Sequence, residues 1–285
     1  MKIYFMLAFT RNTLEPNPVL VELFDILRRE GHEVELGVAD EMVTDPGRLL
    51  AEHDLYVLKS HTAMWLSLAG ILHSQGARIL NPYLACLSAH NKIVAQRCLD
   101  AAGIPTPQSW VTGDLNLLRP VAAERSLILK PYIGGRGVGV VQAHTLHELE
   151  QLPVPSQPML VQEFIPGEEL KVAVIGNHVF GVRKQQSWDG AQRIACPVSD
   201  EVRDIALRCG RVFGLRLYGL DVIEGPDGPV VIDLNYFPSY KGIPNAAALL
   251  ADYVMNYALS PDASLFAVSR HDVRRLVRSS ESSAA

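Results

Sequence analysis

Over the first ninety residues, continuous apolar runs alternate with segments in which apolar residues recur at helical spacing. This alternation constrains the fold more than any other feature of the chain. Apolar residues recur at helical spacing from Val19 to Leu27 and from Trp65 to Leu72. Helices between buried strands predict a parallel sheet that is covered on both faces. We therefore expect a βαβ domain over residues 1–88, with strands at Ile3–Phe9, Val34–Val38, Leu55–Leu58 and Arg78–Leu80.

Composition limits the kinds of partner. The 285 residues suffice for two or three cores of ordinary size. A net charge of −5 argues against nucleic acid, since phosphate neutralisation needs clustered Lys and Arg. No apolar run approaches the ~18 residues of a membrane span. The widely spaced cysteines predict free thiols in a reducing cytoplasm; they are Cys86, Cys98, Cys196 and Cys209.

Two further units are expected after residue 88, which makes the fold class α/β (α+β). The second unit, residues 89–165, should begin with a helix at about His90–Ala102, followed by strands near Ser109–Val111, Ser126–Pro131, Val138–Gln142 and Met159–Ile165. The third unit, residues 166–278, should contain strands Leu170–Ile175 and Val179–Lys184, helix Asp200–Phe213, a hairpin and a last helix at Ala246–Ala258. The Ser- and Ala-rich tail, residues 279–285, is predicted to be disordered.

The hairpin of the third unit is predicted from two apolar runs around a turn. The runs are Tyr218–Ile223 and Val230–Leu234. Between them, Pro226-Asp227-Gly228 suits a three-residue loop with the glycine at positive φ. Counting back from this loop places Asp221 opposite Asp233.

The carboxylates of Asp221 and Asp233 would then be neighbours on one face, to which period-two alternation adds Asn235. Adjacent carboxylates repel each other unless a cation lies between them. Three oxygen ligands with room for phosphate oxygens and waters are what Mg²⁺ accepts. The alternative is a solvated turn with incidental acids, which the apolar flanking runs disfavour.

A glycine-rich run follows the predicted strand at Ser126–Pro131. Four glycines within 134–139 would let backbone N–H groups approach an anion closely, while Lys130 and Arg136 add positive charge. The run is not a Walker A loop and does not open a helix, so the dinucleotide fingerprint is disfavoured too. A structural turn is the alternative.

The segment Leu160–Lys171 links the second unit to the third. A strand that runs out of one domain into another exposes backbone N–H and C=O groups at a cleft, where a flat base could bind. Glu169 and Lys171 share a strand face. Taken alone, the segment also fits an exposed acidic turn.

In this order the motifs resemble the ATP-grasp superfamily, specifically its RimK-like ligases and, at some positions, the inositol trisphosphate 5/6-kinases. The resemblance covers roughly Asn81 to Ala258. It implies an ATP-grasp fold, in which an N-terminal βαβ domain precedes two domains that enclose ATP. It also implies ATP and two Mg²⁺ ions as cofactors.

The resemblance assigns a role to each motif. It implies that Lys92 and Lys130 bind ATP phosphates and that Lys171 faces the γ-phosphate or substrate. The positions implied to contact the rest of the nucleotide are Gly134, Gly135 and Gly137 in a lid, Glu163, Phe164 and Ile165 at adenine, and Glu169 at ribose. Asp221, Asp233 and Asn235 correspond to the magnesium ligands, with Asp233 standing where the ligases usually carry Glu.

Two hypotheses follow, and both use a small, anionic substrate. A carboxylate–amine ligase would form an acylphosphate, with Arg183 and Lys241 as candidates for gripping the substrate. A kinase acting on a phosphorylated polyol is the alternative, and Lys59, His61 and Lys184 could add charge to its pocket. The loop Phe237–Gly242 is similar to both families. The sequence leaves a homo-oligomer open.

Overall fold

The computed structural model describes residues 1–8, 17–38, 41–135, 137–187 and 190–260, without the side chains of 185–191. Arg136 of the glycine-rich run and the predicted disordered tail at 279–285 lie outside these ranges. The described strands form three sheets, and each sheet falls within one of the three units expected from the sequence. The domain boundaries themselves stay predictions.

The first sheet is parallel and has the strand order β2-β1-β3-β4. Its strands are β1 Lys2–Leu7, β2 Glu33–Val38, β3 Leu55–Leu58 and β4 Ile79–Leu80. Helices α1 Pro18–Arg29 and α2 Ala63–Ser74 connect them, and Asn17 and Thr62 cap these helices. The predicted βαβ arrangement is therefore confirmed.

The helix predicted at about His90–Ala102 is confirmed as α4, Lys92–Ala101. A further helix, α3 Tyr83–His90, comes directly before it and was not predicted. Asn91 separates them in an extended conformation, and its side chain accepts from the backbone N–H groups of Ile93 and Val94. Because of this cap, a new helix begins after Asn91, and Lys92 lies in the first turn of α4.

The second sheet is antiparallel, with the order β5-β8-β6-β7. Its strands are β5 Ser109–Thr112, β6 Leu127–Pro131, β7 Val141–Ala143 and β8 Met159–Glu163. Strand β7 is shorter than predicted because turns occupy residues 137–139. Short helices α5 Arg119–Ala122 and α6 Leu146–Glu150 cover the sheet and close a small core of their own.

The third sheet is antiparallel, with the order β11-β10-β9-β12-β13. Its strands are β9 Glu168–Ile175, β10 His178–Ser187, β11 Gly190–Cys196, β12 Leu217–Gly225 and β13 Gly228–Tyr236. Strand β11 was not predicted. Helices α7 Asp200–Phe213 and α8 Ala246–Leu259 complete this part. Its apolar residues join those of the first sheet in one continuous core.

Within the described ranges, no helix combines the length and the apolar character needed to cross a membrane.

Candidate nucleotide and metal site

A cavity of about 380 Å³ is lined by residues of both the second and the third sheet. Such a volume lies within the range of small-molecule sites. Eleven of its lining residues are ones that the sequence singled out: Lys92, Lys130, Gly134, Gly135, Gly137, Glu163, Phe164, Ile165, Glu169, Asp221 and Asp233. The motifs spread over more than a hundred residues therefore converge on one cavity.

The acidic pair lies at the predicted register, but the turn that produces it differs from the prediction. Gly225 pairs with Gly228, so the hairpin loop has two residues rather than three. With that loop alone, Asp221 would pair with Ile232. A β-bulge between Asp221 and Val222 inserts one extra residue in β13 and restores the pairing of Asp221 with Asp233.

Two lysines balance the charges of the acidic pair. Lys92 Nζ lies 2.6 Å from Asp233 Oδ1, and Lys171 Nζ lies 2.8 Å from Asp221 Oδ1 and 2.7 Å from Glu169 Oε1. Burial raises the pKa of Asp221, Lys171 opposes that shift, and the nearby Asp233 adds to it. Two carboxylates in a half-buried site repel each other, and a cation bound between them removes this repulsion.

The chemistry of this donor set fits a magnesium ion. The described residues contain no group of three or more His, Cys, Asp and Glu side chains suited to a metal, so a third protein ligand has to be of another type. The sequence predicts Asn235 as this ligand: its amide nitrogen lies 3.5 Å from Asp233 Oδ2, and the assignment to the metal stays a prediction. Two carboxylates and an amide are hard oxygen ligands, as Mg²⁺ requires.

Lys130 is held at the floor of the cavity. Its side chain is 8% exposed, and Nζ donates to the backbone carbonyl of Ile232 at 3.0 Å. Burial lowers the pKa of Lys130, while Asp233 opposes that shift. The backbone N–H of Lys92 donates to the carbonyl of Tyr132, which ties α4 to the end of β6. Both ammonium groups thus lie near Asp233.

Part of the cavity lining is apolar. It includes Ile128, Ile223 and Ile232 together with Phe164 and Ile165. Sequence reasoning missed the three isoleucines. Ile223 could have been found, since it lies two residues from Asp221 on the same strand face. Ile232 could not, since it belongs to the bulge.

Gln162 is a second residue that sequence reasoning missed. It is 2% exposed, lines the cavity and lies in the apolar strand β8. The signal was a single amide within an apolar run, because a buried amide must find hydrogen-bond partners. Beside it, Glu163 accepts from Arg125 at 3.2 Å.

The side chain of Arg183 does not face the cavity. Lys171 pairs with Val182 across β9 and β10, and side chains alternate along a strand, so Arg183 faces the opposite side of the sheet. There its guanidinium forms ion pairs with Glu168 and Glu224. This placement does not support the expectation that Arg183 grips the substrate.

A different arginine lies on the face that carries Lys171. By the same alternation Lys184 shares this face, and its partner across β10 and β11 is Arg193. Arg193 Nη1 donates to Ser239 Oγ at 2.7 Å. Sequence reasoning missed Arg193 because it missed β11; the dipeptide Asp-Gly at 189–190, a strong hairpin signal, could have revealed the strand.

The loop after β13 holds the remaining candidates. Lys241 is exposed there and does not line the cavity. Lys59 Nζ lies 5.5 Å from the centroid of the Phe237 ring, and the His61 ring stacks on Tyr236 with centroids 4.0 Å apart. The two bulky residues Phe237 and Tyr240 have φ of 43° and 55°. Such positive values are outliers that a structure keeps only where its surroundings enforce them.

Comparison with known proteins agrees with the fold. A model of the RimK-like ATP-grasp domain matches residues 89–255. A RimK domain ATP-grasp protein from Sphaerobacter thermophilus superposes with a TM-score of 0.72 at 21% identity, covering 90% of this chain and all of that one. D-alanine–D-alanine ligase from Bacillus anthracis gives 0.69 at 18% identity, covering 91% and 97%. These likenesses define an ATP-grasp fold.

The domain match is more specific than the fold. Since it spans more than half of the sequence, the chain belongs to the RimK-like ATP-grasp family. A relative from Trichodesmium erythraeum, named a probable alpha-L-glutamate ligase, is 28% identical over 193 residues, which cover 61% of this chain and 64% of that protein. The chain thus spans less than two thirds of that relative's length. The names of these proteins favour the ligase hypothesis over the kinase alternative.

Proposed function

We propose that this protein is an ATP- and Mg²⁺-dependent ligase that joins a small-molecule carboxylate to an amine through an acylphosphate. The observation that carries the proposal is the convergence of two lysines, a glycine-rich loop and a paired set of acids on one cavity. Each belongs to a different element, so chance proximity is a poor explanation. Membership of the RimK-like family supports the same reaction class.

Within the cavity the base of the nucleotide would lie against the apolar lining residues. The backbone of Glu163–Ile165 would hydrogen-bond adenine, and Glu169 would hold the ribose hydroxyls. Lys92 and Lys130 would bind the phosphates, beneath the lid formed by Gly134, Gly135 and Gly137. All of these residues line the cavity, which supports the proposal.

Asp221, Asp233 and Asn235 would hold the metal, and the family resemblance implies two ions. When bound, Mg²⁺ offsets negative charge on the phosphates. In its absence Lys92 and Lys171 balance the acids.

The protein would act mainly by positioning and by stabilising charge. A carboxylate oxygen of the acid attacks the γ-phosphorus, and ADP leaves with the electron pair of the broken P–O bond. The amine nitrogen then attacks the acyl carbon, loses a proton and displaces inorganic phosphate. Lys171 would face the γ-phosphate; its ammonium bridges Glu169 and Asp221, beside the proposed metal ligands.

The acid would be anionic beyond its reacting carboxylate. Lys184 and Arg193 extend the face that carries Lys171, and Lys241 lies in the loop that Arg193 contacts through Ser239. An arginine suits a carboxylate because its donors form a rigid fork. Relatives named probable alpha-L-glutamate ligases suggest an acidic amino acid as one of the two substrates.

The test is a screen for ADP release over pairs of acids and amines, with phosphate measured in parallel. The ligase requires both partners for full turnover and releases ADP and phosphate in equal amounts. Hydroxylamine should trap the acylphosphate only when the true acid is present. ADP release with a single polyol and no free phosphate would instead identify a kinase.

A further inference from the structure

A chain of hydrogen bonds links helix α4 to the lining of the cavity. Gln96 Nε2 donates to Thr106 Oγ1 at 2.8 Å and to the backbone carbonyl of Pro107 at 3.0 Å. Gln162 Nε2 donates to Gln96 Oε1 at 2.9 Å. Gln162 lines the cavity, whereas Gln96 lies behind it.

The contact with Pro107 fixes the direction of every bond in this chain. A backbone carbonyl can only accept, so the atom of Gln96 that lies beside it must be the NH₂ group. The carbonyl oxygen of Gln96 then faces Gln162, which must present its own NH₂ group there. The carbonyl oxygen of Gln162 is the polar atom that remains for the cavity.

Fixing this direction matters because a free glutamine amide has two nearly equivalent orientations. By rotating half a turn, it could donate to a 6-oxo purine as readily as it accepts from a 6-amino purine. Rotation of Gln162 would bring two carbonyl oxygens face to face and break the bond to Gln96. In a nearly dry setting, an unpaired acceptor costs more than the bond itself contributes.

We propose that Gln96 is a positioning residue for base selectivity, which holds the carbonyl oxygen of Gln162 toward the cavity so that a 6-amino purine binds in preference to a 6-oxo purine. The proposal rests on the proposed function only in requiring that the cavity takes a purine nucleotide. Gln96 itself touches no ligand. Gln96 excludes the orientation in which the NH₂ group of Gln162 would donate to a 6-oxo purine.

The experiment compares ADP with IDP, in which an oxo group replaces the 6-amino group and N1 carries a proton. Dissociation constants are measured by calorimetry on the full chain with Mg²⁺, without acid or amine. Wild type should bind ADP at least about tenfold more tightly than IDP. Gln96→Met keeps the bulk but removes both amide atoms, and should reduce the ratio to below about threefold. Gln151→Met, at an exposed glutamine that does not line the cavity, should leave the ratio at the wild-type value.

A purely structural role for Gln96 would weaken both nucleotides equally, and an unchanged ratio in Gln96→Met overturns the proposal. If this variant does not fold, Gln162→Met takes its place, and an unchanged ratio there has the same meaning. Wild-type protein that prefers ADP but forms no amide would contradict the ligase function alone. Wild-type protein that binds both nucleotides equally contradicts the base selectivity alone.

Discussion

At the residue scale, Asp221 and Asp233 are acids whose charges are balanced by lysines from two other elements. Lys92 comes from the first turn of α4 and Lys171 from β9. Neither acid is fully buried, which leaves each carboxylate accessible to a cation. Asp221 and Asp233 would exchange their ammonium partners for magnesium when the nucleotide binds. This exchange can be tested at one side chain.

Asp233→Asn should reduce turnover roughly 10²- to 10³-fold, as expected when one charge-stabilising group is lost. ADP should bind within about tenfold of wild type, because the base and ribose contacts are unchanged. Steady-state kinetics and calorimetry measure the two effects separately. Asp227→Asn is the matched control, since Asp227 is exposed at the tip of the same hairpin. Normal turnover in Asp233→Asn would refute the metal assignment.

The two arginines on opposite faces of the third sheet give a second comparison. Arg193→Gln should raise KM for the acid by about tenfold or more, because a charge-assisted hydrogen bond of about 1.5–3 kcal/mol is lost. Arg183→Gln should leave that KM unchanged and lower stability by at most about 1 kcal/mol, since its ion pairs are partly exposed. The reverse pattern in KM would mean that the substrate lies on the other face.

At the scale of elements, the glycine-rich loop belongs to a part of the molecule with its own small core. Leu127 and Val161 belong to this small core, which has few other buried residues and is separate from the larger core. Val138, at the centre of the loop, is 76% exposed although it lines the cavity. An apolar side chain in that position gains burial when the loop closes.

Nucleotide binding should therefore slow amide hydrogen exchange at residues 134–140 by about tenfold or more, because closure protects backbone that now faces solvent. Exchange measured by mass spectrometry with and without Mg²⁺ and ADP tests this. Helix α8 provides the internal reference, as it lies in the larger core and should not respond. Equal exchange in the loop under both conditions would contradict a lid.

Much of the site could be predicted because its residues sit in strands with strong patterns. Alternation and a turn sufficed to place Asp221 beside Asp233. The loop length was nevertheless wrong, and a bulge in the middle of the hairpin, next to Asp221, compensated for it. A bulge has no signature in the alternation of apolar residues, since it depends on how two strands twist together.

Other elements could not be predicted for local reasons. Asn91 is a favoured N-cap residue and marks the start of α4. The preceding helix α3 was missed because its N-cap, Pro82, forms no side-chain cap bond. Arg183 and Lys184 are neighbours in sequence, and only the register of β9 with β10 determines which one faces the site. A shift of one residue would exchange them.

At the scale of the whole molecule, the first and third sheets share one core, and His61 lies at their junction. Its ring stacks on Tyr236 of β13. Burial, with Lys59 nearby, lowers the pKa of His61 to about 3. The folded state therefore keeps His61 neutral at pH values where the unfolded chain binds a proton.

Stability should fall as the pH drops below the unfolded-state value of 6.5, because the native pKa is depressed and the unfolded state gains the proton first. The expected loss from His61 is about 2 kcal/mol at pH 5, at about 1.4 kcal/mol per pH unit. Urea unfolding at pH 7.5 and pH 5 should show a smaller difference for His61→Gln than for wild type. The exposed His147→Gln should show the wild-type difference, and identical behaviour of all three proteins would contradict the assignment.

The position of the bound metal can be measured directly. Crystals of the full chain grown with Mn²⁺ in place of Mg²⁺ and a non-hydrolysable ATP analogue would locate the ions by anomalous scattering. We predict a peak bounded by Asp221, Asp233 and Asn235, with the triphosphate between it and the ammonium groups of Lys92 and Lys130. A nucleotide bound in the cavity with no anomalous peak at these three side chains would contradict the assignment.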